Sequence, residues 1–225
     1  MPAPIPPIGD LPIPTGCQSV LLYGGAFDPP HNAHFTLGPI VRERLGCELL
    51  LYMPAAAAPL KAGPAASDTD RVNMLAAGLA GVQKADIATL ELARGGTSYT
   101  IDTVGEIRRR RPGVTLRLLI GADQAVQFHR WKGARELLTL AEPAVMLRPP
   151  YAEPAALLTE IAPHWDPADM PEWESRCVAV PPVEVSSTLV RELLGRDPLD
   201  PALAALVPAP VLAYIRQRGL YARGG

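Results

Sequence analysis

Short apolar runs alternate with helical patterns along most of this chain. The runs lie at residues 19–23, 48–53, 87–92 and 114–120, with further candidates at 144–147 and 177–180. Between them, apolar residues recur with helical spacing, as Leu37, Val41 and Leu45 do. Parallel strands need long crossover connections, which are usually helices. The alternation therefore predicts an α/β fold on a doubly wound parallel sheet, which binds ligands at the carboxyl ends of its strands.

The two ends of the chain differ from this alternating part. Six of the 26 prolines fall within residues 1–14, where fixed φ angles and missing N–H donors prevent regular structure. We predict a disordered or surface-bound tail over residues 1–18. Residues 19–225 are predicted to form one Rossmann-like domain that ends in a small helical part from about residue 183. Its two helices start at Ser186 or Ser187 and near Pro210, and they end at Gly195 and Gly219.

The composition excludes several classes of protein. Hydrophobic residues make up 48% of the chain and charged residues 20%, which argues against wholesale disorder. The formal charge of −2 gives no general attraction to a polyanion, so nucleic acid is not expected as a partner. The apolar stretch at 49–60 is interrupted by prolines and is shorter than the roughly 18 residues of a membrane span, so no membrane association is expected.

Cysteine usage and the first residues bear on the compartment. The three cysteines form no close C-x-x-C pair, which is typical of reduced thiols. No lysine or arginine precedes Arg42, so the basic start of a secretory or transit segment is missing. We expect a cytoplasmic protein.

The segment at residues 24–34 (GGAFDPPHNAH) carries the clearest chemical signal, because it follows the first predicted strand and opens a helix. Gly24 and Gly25 allow a ligand to approach the backbone closely, and a helix N-terminus attracts anions. His31 and His34 share one helix face and can both donate to phosphate oxygens. The alternatives are a surface histidine pair beside a turn or a zinc site, the latter without a third ligand at suitable spacing.

A second segment places hydroxyl groups and a cation at a helix start. Ser186, Ser187 and Thr188 stand at the start, and Arg191 lies one turn inside. Hydroxyls, free N–H groups and a guanidinium can together hold a polyphosphate. Ordinary N-capping is the alternative, although it explains only one of the hydroxyls.

Taken in order, the two segments resemble the signatures of the nucleotidylyltransferase superfamily. Over residues 19–221 the chain more narrowly resembles the bacterial nicotinate-nucleotide adenylyltransferase family. Four further segments support this: TSYT at 97–100, GAD at 121–123, FHRWK at 128–132, and the stretch at 206–221. The resemblance implies transfer of the adenylyl group of ATP to nicotinate mononucleotide, giving deamido-NAD and pyrophosphate, with Mg²⁺ accompanying the ATP.

The resemblance also implies roles for individual residues. His31, His34 and Arg191 are the expected catalytic residues, with the histidines on the phosphates of ATP and Arg191 on its β and γ groups. The remaining ATP-binding residues implied are Gly24, Gly25, Phe27, Asp28, Lys61, Asp123, Ser186, Ser187 and Thr188. Asp123 is expected near the ribose or the metal ion, whereas Asp28 is equally explained as a turn former. No residue is assigned as a resident metal ligand.

The acceptor nucleotide is expected at a separate group of residues. Trp131 is the candidate platform for the pyridine ring, although a core tryptophan is the alternative. By resemblance, backbone N–H groups near Thr100, Ile101 and Lys132 receive the nicotinate carboxylate. The expected partners are thus ATP and nicotinate mononucleotide, and a homo-oligomer stays open.

Two positions depart from the family pattern. Ala33 stands where the family usually has glycine, and Leu60 stands where it commonly has histidine. These departures keep open a non-catalytic nucleotide-binding module of the same fold. A different acceptor, either nicotinamide mononucleotide or phosphopantetheine, also stays open within the same enzyme class.

Overall fold

The computed structural model describes residues 6–56 and 65–222. In that part of the chain a single parallel sheet has the strand order β3-β2-β1-β4-β5-β6. The strands are β1 Ser19–Gly25, β2 Leu49–Pro54, β3 Ala85–Ile87, β4 Thr115–Gly121, β5 Glu142–Leu147 and β6 Cys177–Ala179. The predicted doubly wound α/β fold is confirmed.

Helices connect the strands and extend the chain beyond the sheet. They are α1 Asn32–Arg44, α2 Asp68–Gly78, α3 Leu90–Arg94, α4 Thr100–Arg110, α5 Ala122–Val126, α6 Ala134–Leu140, α7 Pro154–Ile161, α8 Met170–Ser175, α9 Ser187–Arg196, α10 Leu203–Leu206 and α11 Ala209–Arg218. None of the helices described is both long and apolar enough to cross a membrane.

The central strands are buried on both faces because side chains alternate along them. Val20 and Leu22 of β1 enter one apolar cluster, whereas Leu21 enters a second cluster on the opposite face. The strand order reverses between β1 and β4. The carboxyl ends of these two strands are Gly25 and Gly121, and ligands of such sheets bind in the crevice at this switch point.

The strand predicted at residues 87–92 is largely wrong. Only Ile87 belongs to β3, and a short helix, α3, begins at Leu90. The Thr89 N–H donates to the Asp10 carbonyl rather than to a neighbouring strand, so the chain leaves the sheet there. Helix α2 is capped by Ser67, whose hydroxyl accepts from the Asp70 N–H at 3.1 Å.

The described part of the proline-rich start, residues 6–18, packs against the rest of the domain, which corresponds to the surface-bound alternative for this tail. Leu11 and Ile13 are buried in the first core cluster. Arg110 and Arg111, at the end of α4, donate to the backbone carbonyls of Gly9 and Ile13. The segment lacks helix and strand, as its prolines dictate, yet it closes one side of the core.

The C-terminal helices form a third apolar cluster. Val190, Leu203 and Val211 pack there with Met74 of α2, so α11 lies against α2. Gly219 ends α11 with φ +62°, a left-handed conformation that glycine adopts without strain. This packing brings Tyr221, just after α11, to the β1–α1 loop, where its hydroxyl donates to Asp28.

Candidate active site

The loop between β1 and α1 forms one wall of the crevice. A Cβ atom at Gly24 would meet no other atom within 4 Å, so the backbone there borders open space. Phe27 lies in the core with φ +50°, so its ring packs inside the protein rather than lining the crevice. His31 is the N-cap of α1, which begins at Asn32.

The two histidines lie face to face at the start of α1. Their ring centroids are 3.8 Å apart, and the His31 N–H donates to Nδ1 of His34 at 3.1 Å. His34 packs among the rings of Tyr23 and Phe27, and the Tyr52 hydroxyl donates to its carbonyl at 2.8 Å. Since Nδ1 of a neutral His34 accepts, its proton lies on Nε2, where a ligand oxygen can receive it.

Burial keeps both imidazoles uncharged at neutral pH. Desolvation, with a smaller effect of the Arg148 guanidinium, lowers the pKa of His31 from 6.5 to about 4. Desolvation also places the pKa of His34 well below its ordinary value, with His31 and Arg148 contributing. Nδ1 of His31 is buried and has no hydrogen-bond partner among the described residues. The pair can thus donate neutral hydrogen bonds to an anion, which would itself favour protonation.

The start of α9 is docked directly onto this loop. The Ser187 hydroxyl donates to the Pro29 carbonyl at 2.9 Å, and Arg191 donates to the Asp28 carbonyl at 2.5 Å and to the Thr188 hydroxyl at 3.2 Å. Ser186 is the N-cap, and its side chain accepts from the Leu189 N–H at 3.1 Å. The two segments singled out in the sequence are therefore joined in one site.

Asp28 points into the protein. It is only 4% exposed, and its carboxylate accepts from the N–H groups of Ala65 and Ala66 at 2.7 and 3.1 Å and from the Tyr221 hydroxyl at 2.7 Å. A carboxylate so fully engaged is a structural acceptor. This favours the loop-forming role of Asp28 over direct contact with ATP.

An ion pair stands at the ends of β4 and β5. Arg148 directly follows β5 and donates to Asp123 at 2.5 Å, and both side chains are about half exposed. Gly121 makes room for this pair, because a Cβ atom there would lie 2.6 Å from Oδ1 of Asp123. Sequence reasoning missed Arg148. Its signal was a basic residue directly after a buried strand at the ligand-binding edge.

The residues expected to hold the acceptor form a second group. Thr100 and Ile101 open α4. Trp131 is half-buried, with its ring centroid 5.0 Å from that of Phe128, so part of its ring packs on the core and part stays open to a ligand. Nζ of Lys132 lies 3.0 Å from both carboxylate oxygens of Asp102.

The two groups differ in how they are connected. The hydrogen bonds within residues 6–56 and 65–222 join none of the four acceptor candidates to the histidine pair.

Lys61 and Leu60 lie outside the described residues. Within those residues, no group of three or more histidine, cysteine, aspartate and glutamate side chains is placed to hold a metal ion.

Known proteins identify the family. A model described as cytidylyltransferase-like matches residues 22–193. A relative from Gemmatimonas aurantiaca is 34% identical over 204 residues, covering 89% of this chain and 90% of the relative. Another, from Laribacter hongkongensis, is 35% identical over 208 residues, covering 89% and 93%. Both bear the name "Probable nicotinate-nucleotide adenylyltransferase". This chain belongs to the nicotinate-nucleotide adenylyltransferase family.

A solved structure shows the same fold. The Plasmodium falciparum nicotinic acid mononucleotide adenylyltransferase complexed with NaAD superposes with a TM-score of 0.73 at 16% identity, covering 91% of this chain and 97% of that one. The resemblance to the nicotinate-nucleotide adenylyltransferase family is thus confirmed, as is the Rossmann-like fold. The family also confirms that the chain is an enzyme of the nucleotidyltransferase class.

Proposed function

We propose that the crevice at the ends of β1 and β4 is where this chain transfers the adenylyl group of ATP to nicotinate mononucleotide, forming deamido-NAD and pyrophosphate. This transfer, a step of NAD biosynthesis, is the activity named for the family. The roles of the individual residues are our proposal. The observation that supports them most is the docking of Ser187 and Arg191 onto the loop that carries the histidine pair.

The chemistry needs positioning and charge neutralisation rather than a general base. The nucleophile is a phosphate oxygen of nicotinate mononucleotide, which is already ionised. It attacks the α-phosphorus of ATP in line, a new P–O bond forms, and the bond to the β-phosphate breaks as pyrophosphate leaves with the electron pair. Preorganised donors aimed at the developing charge are the main source of acceleration in such a site.

The donors divide between the two helix starts. His31 and His34 at the start of α1 donate to the oxygens around the α-phosphorus as charge builds there. Ser187, Thr188 and Arg191 at the start of α9 hold the β and γ groups, where the free N–H groups of this ten-residue helix add to the attraction. Gly24 and Gly25 let the phosphates approach the backbone, and Ser186 holds the helix start in place.

A divalent cation accompanies ATP in nucleotidyltransferases generally, and we propose Mg²⁺ here. Mg²⁺ is commonly bound through substrate phosphates, waters and one or two carboxylates. Asp123, half exposed beside the crevice, is the carboxylate we propose near the ribose or this ion. Arg148 holds Asp123 and adds positive charge at the same edge.

Acceptor recognition is proposed for the second group. Trp131 stacks on the pyridine ring, and N–H groups near Thr100, Ile101 and Lys132 receive the nicotinate carboxylate. The ammonium group of Lys132 is 4.8 Å from the centre of the Tyr99 ring as well as bound to Asp102, so its side chain is held beside this surface. The compartment and the oligomeric state stay predictions.

The test measures pyrophosphate release from ATP and Mg²⁺ with nicotinate mononucleotide, nicotinamide mononucleotide or phosphopantetheine supplied separately. We expect a strong preference for nicotinate mononucleotide. A preference for another acceptor would contradict the proposed acceptor site. ATP binding without release from any acceptor would contradict the proposed function and favour the non-catalytic alternative. Omission of Mg²⁺ and its replacement by Mn²⁺ or Ca²⁺ test the choice of metal.

A further inference from the structure

The carboxylate of Asp28 connects parts of the chain that are far apart in sequence. It lies within the β1–α1 loop, and its donors are the two N–H groups that precede α2 and the hydroxyl of Tyr221 near the C-terminus. Its own carbonyl accepts from Arg191 of α9. Three other segments therefore converge on this one residue.

Tyr221 reaches this position from beyond the end of α11. Its backbone has φ +65°, a conformation that a non-glycine residue keeps only when its surroundings hold it there. Its hydroxyl lies 2.7 Å from Oδ1 of Asp28 and 3.9 Å from the sulfur of Met74. The side chain is thus placed to satisfy a buried carboxylate that the solvent cannot reach.

The Arg191 guanidinium stands close to the same carboxylate. Nη1 of Arg191 is 3.9 Å from Oδ2 of Asp28, too far for a hydrogen bond. A carboxylate that loses one of its buried donors gains from a closer ionic partner. Arg191 is the near candidate, since a shift of about 1 Å would bring the two groups into contact.

We propose that Tyr221 is a positioning residue of the phosphate site: its hydroxyl occupies the Asp28 carboxylate and so keeps the Arg191 guanidinium available to the phosphates of ATP. This inference rests on the phosphate-binding role proposed above for Arg191. It assigns a task at the crevice to a side chain that does not itself contact substrate.

The test compares Tyr221→Phe with Tyr214→Phe. The two variants are matched, because each removes one tyrosine hydroxyl that donates to an aspartate. The Tyr214 hydroxyl donates to Asp70 at 2.8 Å and accepts from Asn73, and neither partner belongs to the loop. Measurements are kcat, the KM for each substrate, the Kd for ATP by calorimetry, and the thermal midpoint.

For Tyr221→Phe we expect kcat/KM for ATP to fall by about tenfold and the Kd for ATP to rise, with the KM for nicotinate mononucleotide unchanged. Both substitutions should lower the thermal midpoint by a similar amount. Tyr214→Phe should leave the kinetics intact. Equal kinetic losses in both variants, or none in Tyr221→Phe, would overturn the proposal. If the unmodified chain releases no pyrophosphate, the proposed function fails, and the Kd for ATP of the two variants still decides the role of Tyr221.

Discussion

The proposed phosphate side and the proposed acceptor side of the site are built differently. On the phosphate side, His31 and Asp28 are buried, and hydrogen bonds join the loop to α9 and to the C-terminus. On the acceptor side, Lys132 and Asp102 are 54% and 40% exposed and bind each other. With the roles proposed above, the difference means that the donors for a developing charge are fixed before the substrate arrives, whereas the pyridine ring meets a surface that stays open.

We expect the largest effect from removing a histidine on the phosphate side. His31→Ala removes a preorganised donor and should lower kcat by about 10² or more, with a much smaller change in the KM for nicotinate mononucleotide. His164→Ala is the matched control, because His164 is exposed and stacks on His129 rather than on the histidine pair of α1. Steady-state pyrophosphate release measures both variants. A loss confined to ATP affinity, with kcat retained, would argue against a role in the transition state.

The buried state of the same histidine makes stability depend on pH. The pKa of His31 falls from 6.5 to about 4 on folding, so the unfolded chain binds the proton more tightly. The stability linked to neutral His31 is complete above pH 6.5 and is lost as the pH falls toward 4. Between pH 7.5 and 5 this amounts to roughly 2 kcal/mol. Urea unfolding at pH 7.5 and pH 5 measures the free energy of unfolding of the unmodified chain and of His31→Ala. The difference between the two proteins should change by this amount between the two pH values. A difference that does not change with pH would contradict the prediction.

We expect the smallest effect from substituting Trp131 on the acceptor side. Trp131→Ala should raise the KM for nicotinate mononucleotide by about fivefold, since stacking contributes roughly 1 kcal/mol. We expect kcat to change by less than about twofold, because the ring does not touch the reacting atoms. Trp131→Phe keeps a ring and should retain most of the affinity. A rise in the KM for ATP instead would indicate that Trp131 serves ATP rather than the acceptor.

The two sides also differ in how far the sequence predicts them. The loop at 24–34 and the start of α9 are contiguous runs of phosphate-binding residue types, so both can be recognised from the order of residues alone. The contact between Tyr221 and Asp28 spans 193 positions, and only the packing of α11 on α2 creates it. Arg148 was missed for a similar reason, because its proximity to the histidines depends on which strands are neighbours.

Local patterns failed where long-range contacts decide the conformation. The apolar residues at 87–92 fit a strand or a short helix equally, and the contact between Thr89 and the N-terminal segment selects the second. Prolines in that segment correctly exclude helix and strand, yet they do not exclude order. Burial of the Leu11 and Ile13 side chains in the core has a lower free energy than their exposure to water, and this orders the segment.

The most direct test of the proposed site is a structure of this chain bound to a non-hydrolysable ATP analogue with Mg²⁺. We predict that the triphosphate lies between the starts of α1 and α9, with His31 or His34 within hydrogen-bond distance of the α-phosphate and Arg191 on the β and γ groups. A triphosphate bound elsewhere, with the histidine pair and Arg191 left without contact, would contradict the assignment of this crevice as the site of adenylyl transfer.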